Sequence, residues 1–132
     1  MRAASFTIWI LCGLTLAACT NEVETGRASY ADLCAGCHGT GGQGVGPGVL
    51  WPGFHATDLT RISARNGGVF PRERIIARID NYAKGQAHDG TVPELWPLLD
   101  GRTVLVETGE GILTPTSEPM VALTAYLESI QR

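Results

Sequence analysis

The feature that most constrains this chain is Cys34-Ala35-Gly36-Cys37-His38. Two thiols three residues apart can add to both vinyl groups of one haem, and the adjoining imidazole then faces the iron from the same short turn. Cys-x-x-Cys-His reads as a c-type haem attachment site, and a proximal His is a common axial haem ligand. The pattern predicts thioether bonds from Cys34 and Cys37 and the proximal bond from His38.

The other cysteines fit an exported protein. Met1-Arg2 precedes a mostly apolar run from Ala3 to Ala18 that contains Cys12, the n-region and h-region of an export signal. The run ends Leu16-Ala17-Ala18-Cys19, which resembles the bacterial lipoprotein processing box. Leu16 argues against ordinary cleavage after Ala18, where a small residue is expected. Residues 1–18 are therefore expected to be a signal peptide, Cys19 the lipidated first residue, residues 19–25 a short polar tether and residues 26–132 the folded domain. The alternative is an uncleaved anchor, for which the run falls slightly short of the ~20 residues of a membrane span. Both readings hold the domain to a membrane outside the cytoplasm, on the periplasmic side. They leave Cys34 and Cys37 as the exported domain's only thiols, a pair that would oxidise to a disulfide there unless another chemistry claims it.

One domain is all that 132 residues allow. Hydrophobic content of 44% with 17 glycines and 7 prolines describes a globular, loop-rich fold. A chain this short buries proportionately little surface, so a cofactor supplying part of the core suits it. The net charge of −3 argues against a nucleic-acid partner.

A first helix is expected over about residues 26–37, where a glycine in the first turn is costly unless something approaches closely. Six glycines follow between Gly39 and Gly48. The Gly39-x-Gly41-x-x-Gly44 spacing is nominally a dinucleotide fingerprint, but that needs a strand before it and a helix after it. A loop wrapping the edge of a haem plane accounts better for so little side chain. Val49 to Thr60 reads as loop, with Trp51 either bonded to a haem propionate or packed inside, and with His55 exposed. A second helix is expected over 70–79, with Pro71 near its start and Ile75, Ile76 and Ile79 inward. Five arginines lie between residues 61 and 78 (Arg61, Arg65, Arg72, Arg74 and Arg78), and they read either as a solvated face or as a positive patch for a docking partner or for haem propionates. Asn81 to Asp100 reads as loop and 102–114 as a small hairpin around Gly109-Glu110-Gly111. The last helix is expected from Glu118 to about Ile130, with Met120, Leu123, Leu127 and Ile130 on one face.

The haem motif closing an N-terminal helix, the approach Tyr30-x-x-x-Cys34, the glycine loop and the C-terminal Leu123-x-x-Tyr126-Leu127 together resemble the class I (mono-haem) cytochrome c family over essentially all of residues 24–132. From Asn66-Gly-Gly-Val-Phe-Pro71 to the hairpin the chain is similar to a bacterial periplasmic subgroup. The resemblance implies an all-α fold around one covalent haem c, with long Gly/Pro loops and a minor hairpin. It also implies first and last helices that cross at a small residue, where Gly26 and Tyr126 are suitably placed. The implied function is a single-electron carrier, not an enzyme, working with redox partner proteins of the membrane or periplasm and bound to the membrane through lipidated Cys19.

One departure from the family matters. Its members usually place a Met-Pro pair before the last helices, and that sulfur is the distal ligand. Here the stretch reads His88-Asp-Gly-Thr-Val92-Pro93, and Val92 cannot bind iron. Distal ligation by His88, by Met120, by His55, or an open or water-bound position all stay open. An open site would suit a haem-based module that binds or senses small ligands, or, with His88 as acid–base residue, a peroxidase-like turnover. Outside haem chemistry, the motif could be a thioredoxin-like pair, which wants a βαβ context, or half a zinc site, which wants two further ligands.

Overall fold

The computed structural model describes residues 21–47, 56–84, 95–109 and 111–132. The expected signal, Cys12, Cys19, Trp51, His55, His88 and Val92 lie outside the described residues. Among those described, no helix is long and apolar enough to cross a membrane.

The first helix, α1, occupies residues 21–33, so residues 21–25 are helical where a tether was expected. Nothing in Asn21–Thr25 stops a helix: there is no Pro or Gly, the Thr25 hydroxyl donates to the Asn21 carbonyl at 2.9 Å, and Arg27 pairs with Glu24 one turn back. Val23, Gly26, Tyr30 and Leu33 fall at spacings of three and four, and Val23, Tyr30 and Leu33 belong to the core side of the molecule. Gly26 is therefore a mid-helix residue. After a turn at Cys34, the short helix α2 runs Ala35–His38 and ends at Gly39, whose φ of 78° suits glycine.

A 3-10 turn at Leu59–Arg61 leads into α3, Ile62–Arg65, and then α4, Arg72–Ala83, follows Pro71. Ile75, Ile76 and Ile79 lie half-buried against the core, as their spacing predicts, and the helix continues one turn further to bury Ala83. The short helix α5, Trp96–Leu99, interrupts the expected loop and drives Leu99 into the core. The strands β1, Thr103–Gly109, and β2, Ile112–Ser117, pair antiparallel, with an irregularity between Glu107 and Gly109. The hairpin runs straight into α6, Glu118–Ser129, with Ser117 at the N-cap and Pro119 in the first turn.

Helix α6 is the centre of the molecule. Met120, Ala122, Leu123, Thr124, Tyr126 and Leu127 are all buried, a wider face than the single stripe of its leucines. The core joins α6 to Tyr30 and Ala35 at the N-terminal end, to Ala83 of α4 and to Leu99 of α5. At the crossing of α1 and α6, a Cβ on Gly26 would lie 1.9 Å from the Ala122 carbonyl oxygen and 2.9 Å from Tyr126 Cβ. Backbone meets backbone there, which only glycine permits. One turn on, the rings of Tyr30 and Tyr126 pack with centroids 5.1 Å apart at 47°.

Candidate haem-attachment site

The motif is wound tightly around one carbonyl. Cys34 N–H donates to Tyr30 O at 2.9 Å, continuing the α1 ladder, and Cys34 O accepts from Cys37 N at 3.2 Å and from His38 N at 2.9 Å. Both cysteines and the histidine are thus presented from one turn. The two thiols are half-buried and form no disulfide. Burial, and secondarily the neighbouring Cys37, pushes the Cys34 thiol up to about 11, so it stays protonated at neutral pH. A thioredoxin-like nucleophile needs the opposite shift. Nor does any group of three or more His, Cys, Asp or Glu come together as a metal cluster among the described residues.

His38 is oriented from outside the motif. Its Nδ1 lies 2.9 Å from the carbonyl oxygen of Thr57. A carbonyl can only accept, so Nδ1 carries a proton, and in the neutral ring that leaves the Nε2 lone pair for a metal. Thr57 is held in turn. Asp58 next to it caps the 3-10 turn, accepting from Thr60 N at 2.9 Å and from Thr60 Oγ1 at 2.6 Å. These bonds, chiefly that from the Thr60 hydroxyl, hold the Asp58 carboxyl below its ordinary value. Leu59 N donates to Gly42 O at 2.7 Å, tying the same segment to the glycine loop.

The glycine loop folds back over the motif. Gly44 N donates to His38 O at 2.8 Å and Gly46 N to Cys37 O at 3.1 Å. A Cβ at Gly46 would fall 2.2 Å from Gly36 O, and one at Gly44 2.0 Å from Ala56 O. Among the described residues the loop's small side chains therefore serve close backbone contacts around the motif. Tyr30 completes the clasp: its buried hydroxyl donates to Gly39 O at 2.7 Å. Burial first, then Cys34 and Tyr126, pushes this phenol up to about 12.

Met120 sits in the first turn of α6, 2% exposed, in the core cluster that also contains Tyr30 and the motif's own Ala35. Sequence reading missed Thr57, nineteen residues from His38 with no pattern linking the two. It also missed the bond from Tyr30, although the four-residue step to Cys34 places both on one face of α1.

A small helical domain that presents two thiols and a tautomer-locked imidazole from one turn is of the covalent haem-carrier class. The chain matches the family model Cytochrome c over residues 23–131, most of its length, and it belongs to that family. A comparison with curated proteins finds no match, and neither does one with solved structures. Family membership makes this a haem-binding protein with covalent haem c, and the family's work is electron transfer. The donor set fits the group: two thiols outside any disulfide, and an imidazole whose Nδ1 is engaged by Thr57 O, which leaves Nε2 as the nitrogen that would face a metal.

Proposed function

We propose that the protein carries single electrons between redox partner proteins at the periplasmic face of a membrane, with Cys34 and Cys37 as the thioether residues and His38 as proximal ligand. The observation that carries this reading is the His38 Nδ1–Thr57 O contact of 2.9 Å, which leaves Nε2 as the ligating atom. Bound there, the haem supplies a one-electron iron couple. Thr57 O accepts the hydrogen bond from Nδ1–H, which would make the imidazole the more basic ligand and would favour the oxidised state of a bound iron. The Tyr30–Gly39 and Gly44–His38 bonds hold the turn rigid, so little reorganisation accompanies the electron.

The membrane part of the proposal draws on Leu16-Ala17-Ala18-Cys19 as a lipidation site. With helix present from residue 21, a lipid on Cys19 has almost no slack before the folded domain, which favours partners in the same membrane. The distal ligand would be His88 or Met120. A second reading, a module that binds small ligands at an open distal position, is favoured by Val92 in place of the usual methionine and by the packing of Met120 into the core.

A visible spectrum of the dithionite-reduced protein, before and after CO, separates the two. The carrier reading expects a sharp α band that CO leaves unchanged. A Soret shift with CO replaces it by the ligand-binding reading, and no haem spectrum from a host competent in cytochrome maturation removes both.

A further inference from the structure

The chain that precedes Asn21 meets the fold at one particular edge. Asn21, Glu22 and Thr25 of α1 line an open cleft together with Gly101, Arg102 and Val104, where the hairpin begins. Helix α6 starts at the same place, since Glu118 N donates to Arg102 O at 3.0 Å and the two side chains pair. Cys19 stands two residues before Asn21. Two residues of chain reach at most about 7 Å, so whatever Cys19 carries is held beside the base of the hairpin.

The outward side of that hairpin is apolar. Leu105, Ile112 and Leu113 are three of the six large apolar side chains that stand exposed among the described residues. Leu105 lies opposite Pro115 and Leu113 opposite Glu107, so Leu105, Pro115 and Leu113 form one stripe, with Ile112 beyond them at the tip. Neither Leu105 nor Leu113 belongs to the core, so the fold itself gives no reason for leucine at these positions. From Thr103 to Ser117 the sequence has no Lys or Arg, and its charges are Glu107 and Glu110. The Glu107 carboxylate accepts from Gly109 N and Gly111 N, each at 3.0 Å, which engages it with the turn. This surface therefore attracts by apolar burial and not by positive charge.

A few side chains fall well short of the ~800 Å² per partner of a stable protein–protein interface. A surface to which the chain is already tied asks far less, because the tether supplies a high effective concentration. A single acyl chain binds a bilayer only marginally, and a second contact completes such an anchor.

We infer that the outward face of the hairpin, Leu105, Leu113 and Pro115 with Ile112 at the tip, lies on the phospholipid bilayer to which Cys19 is tied. The inference rests on the membrane part of the proposed function and adds to it the face that meets the lipid. Residues 21–33 of α1 carry the chain up to about 20 Å from this edge to Cys34, so the haem motif lies at the end of α1 remote from the tether.

The test reconstitutes the lipidated holoprotein in phosphatidylcholine vesicles that contain a phospholipid with a diazirine in its acyl chain. After illumination, mass spectrometry locates the lipid adducts along the chain. Adducts at Leu105, Ile112, Leu113 or Pro115, kept at high salt and reduced about tenfold in Leu105→Thr/Leu113→Thr, are the expected result. Adducts confined to residues 19–25, adducts centred on α4 or the glycine loop, loss of the hairpin adducts at high salt, or a yield unchanged in a double variant that keeps the wild-type haem spectrum overturns it. The wild-type map alone decides the matter if that variant does not fold. Sedimentation in detergent examines the other occupant: a dimer dispersed by the same substitutions makes this face an interface between copies and overturns the bilayer assignment. Failure of the tether shows separately, as an intact mass with neither acyl chains on Cys19 nor residues 1–18 retained, and it removes the bilayer contact together with the membrane part of the proposed function.

Discussion

At the α1–α6 crossing, Tyr30 and Leu123 are each 1% exposed and the two helix backbones touch through Gly26. On the hairpin, Leu105 and Leu113 of the outward side are 65% and 58% exposed, and Ile112 at the tip is 51% exposed. Both regions are apolar, yet only the first buries its apolar atoms. The hairpin is fastened at its base, where Ser117 Oγ donates to Leu99 O at 2.6 Å, Glu118 N donates to Arg102 O at 3.0 Å and Arg102 pairs with Glu118. Its inward residues Val104, Val106 and Thr116 face the domain while its tip does not. The stability that holds the haem motif in shape therefore resides in the crossing, and the hairpin is an appendage whose outer side can change freely.

That contrast can be broken by substitution. Gly26→Ala carries the largest expected effect: the new methyl would strike the Ala122 carbonyl, and the helix-propensity gain of about 1 kcal/mol is outweighed by overpacking. Denaturant unfolding of the holoprotein should show a net loss of at least about 3 kcal/mol; wild-type stability would mean that the helices do not touch there. Leu123→Ala opens a cavity in the same region and should lower stability by about 3 kcal/mol in the same assay.

Tyr30→Phe removes only the hydroxyl and leaves Gly39 O with the Gly42 N–H as its remaining donor, for a loss of about 1 kcal/mol. It also carries a pH signature. The folded phenol titrates near 12, above the unfolded value of about 10, so the wild type is fully stabilised below pH 10 and loses stability as pH rises from there towards 12. Tyr30→Phe should lack that component; identical alkaline profiles for the two proteins would assign the decline to other groups. The smallest effect belongs to the hairpin, where Leu113→Thr should change stability by less than about 0.5 kcal/mol. A loss comparable with that of Leu123→Ala would show that something covers this side of the hairpin.

What could be read from the residues followed from how far each signal extends along the chain. Helix α6 announces itself through Met120, Leu123 and Leu127, α4 through its isoleucines, and the hairpin through Gly109 and Gly111 between β-branched runs. The helices α3 and α5 escape because four residues make barely one turn and carry no period. Residues 21–25 escape for a different reason: polar composition resembles a tether, and only the packing of Val23 reveals the helix. At the site, the Cys34-x-x-Cys37-His38 motif is legible because its pattern is local. Thr57 is not, since a backbone carbonyl can come from any residue type and only the fold brings this one to His38.

Gly46 has a consequence for how this sequence can vary over time. A side chain there would meet Gly36 O and the Cys37 backbone, just as one at Gly26 would meet α6, so neither position accepts a second letter while its neighbours stay put. Gly67, with φ of 68° and nothing within 4 Å of an added methyl, needs only a residue at ease in the left-handed region, such as asparagine. Lineages descended from this protein should therefore replace Gly67 by drift, one nucleotide change at a time, while positions 26 and 46 stand still.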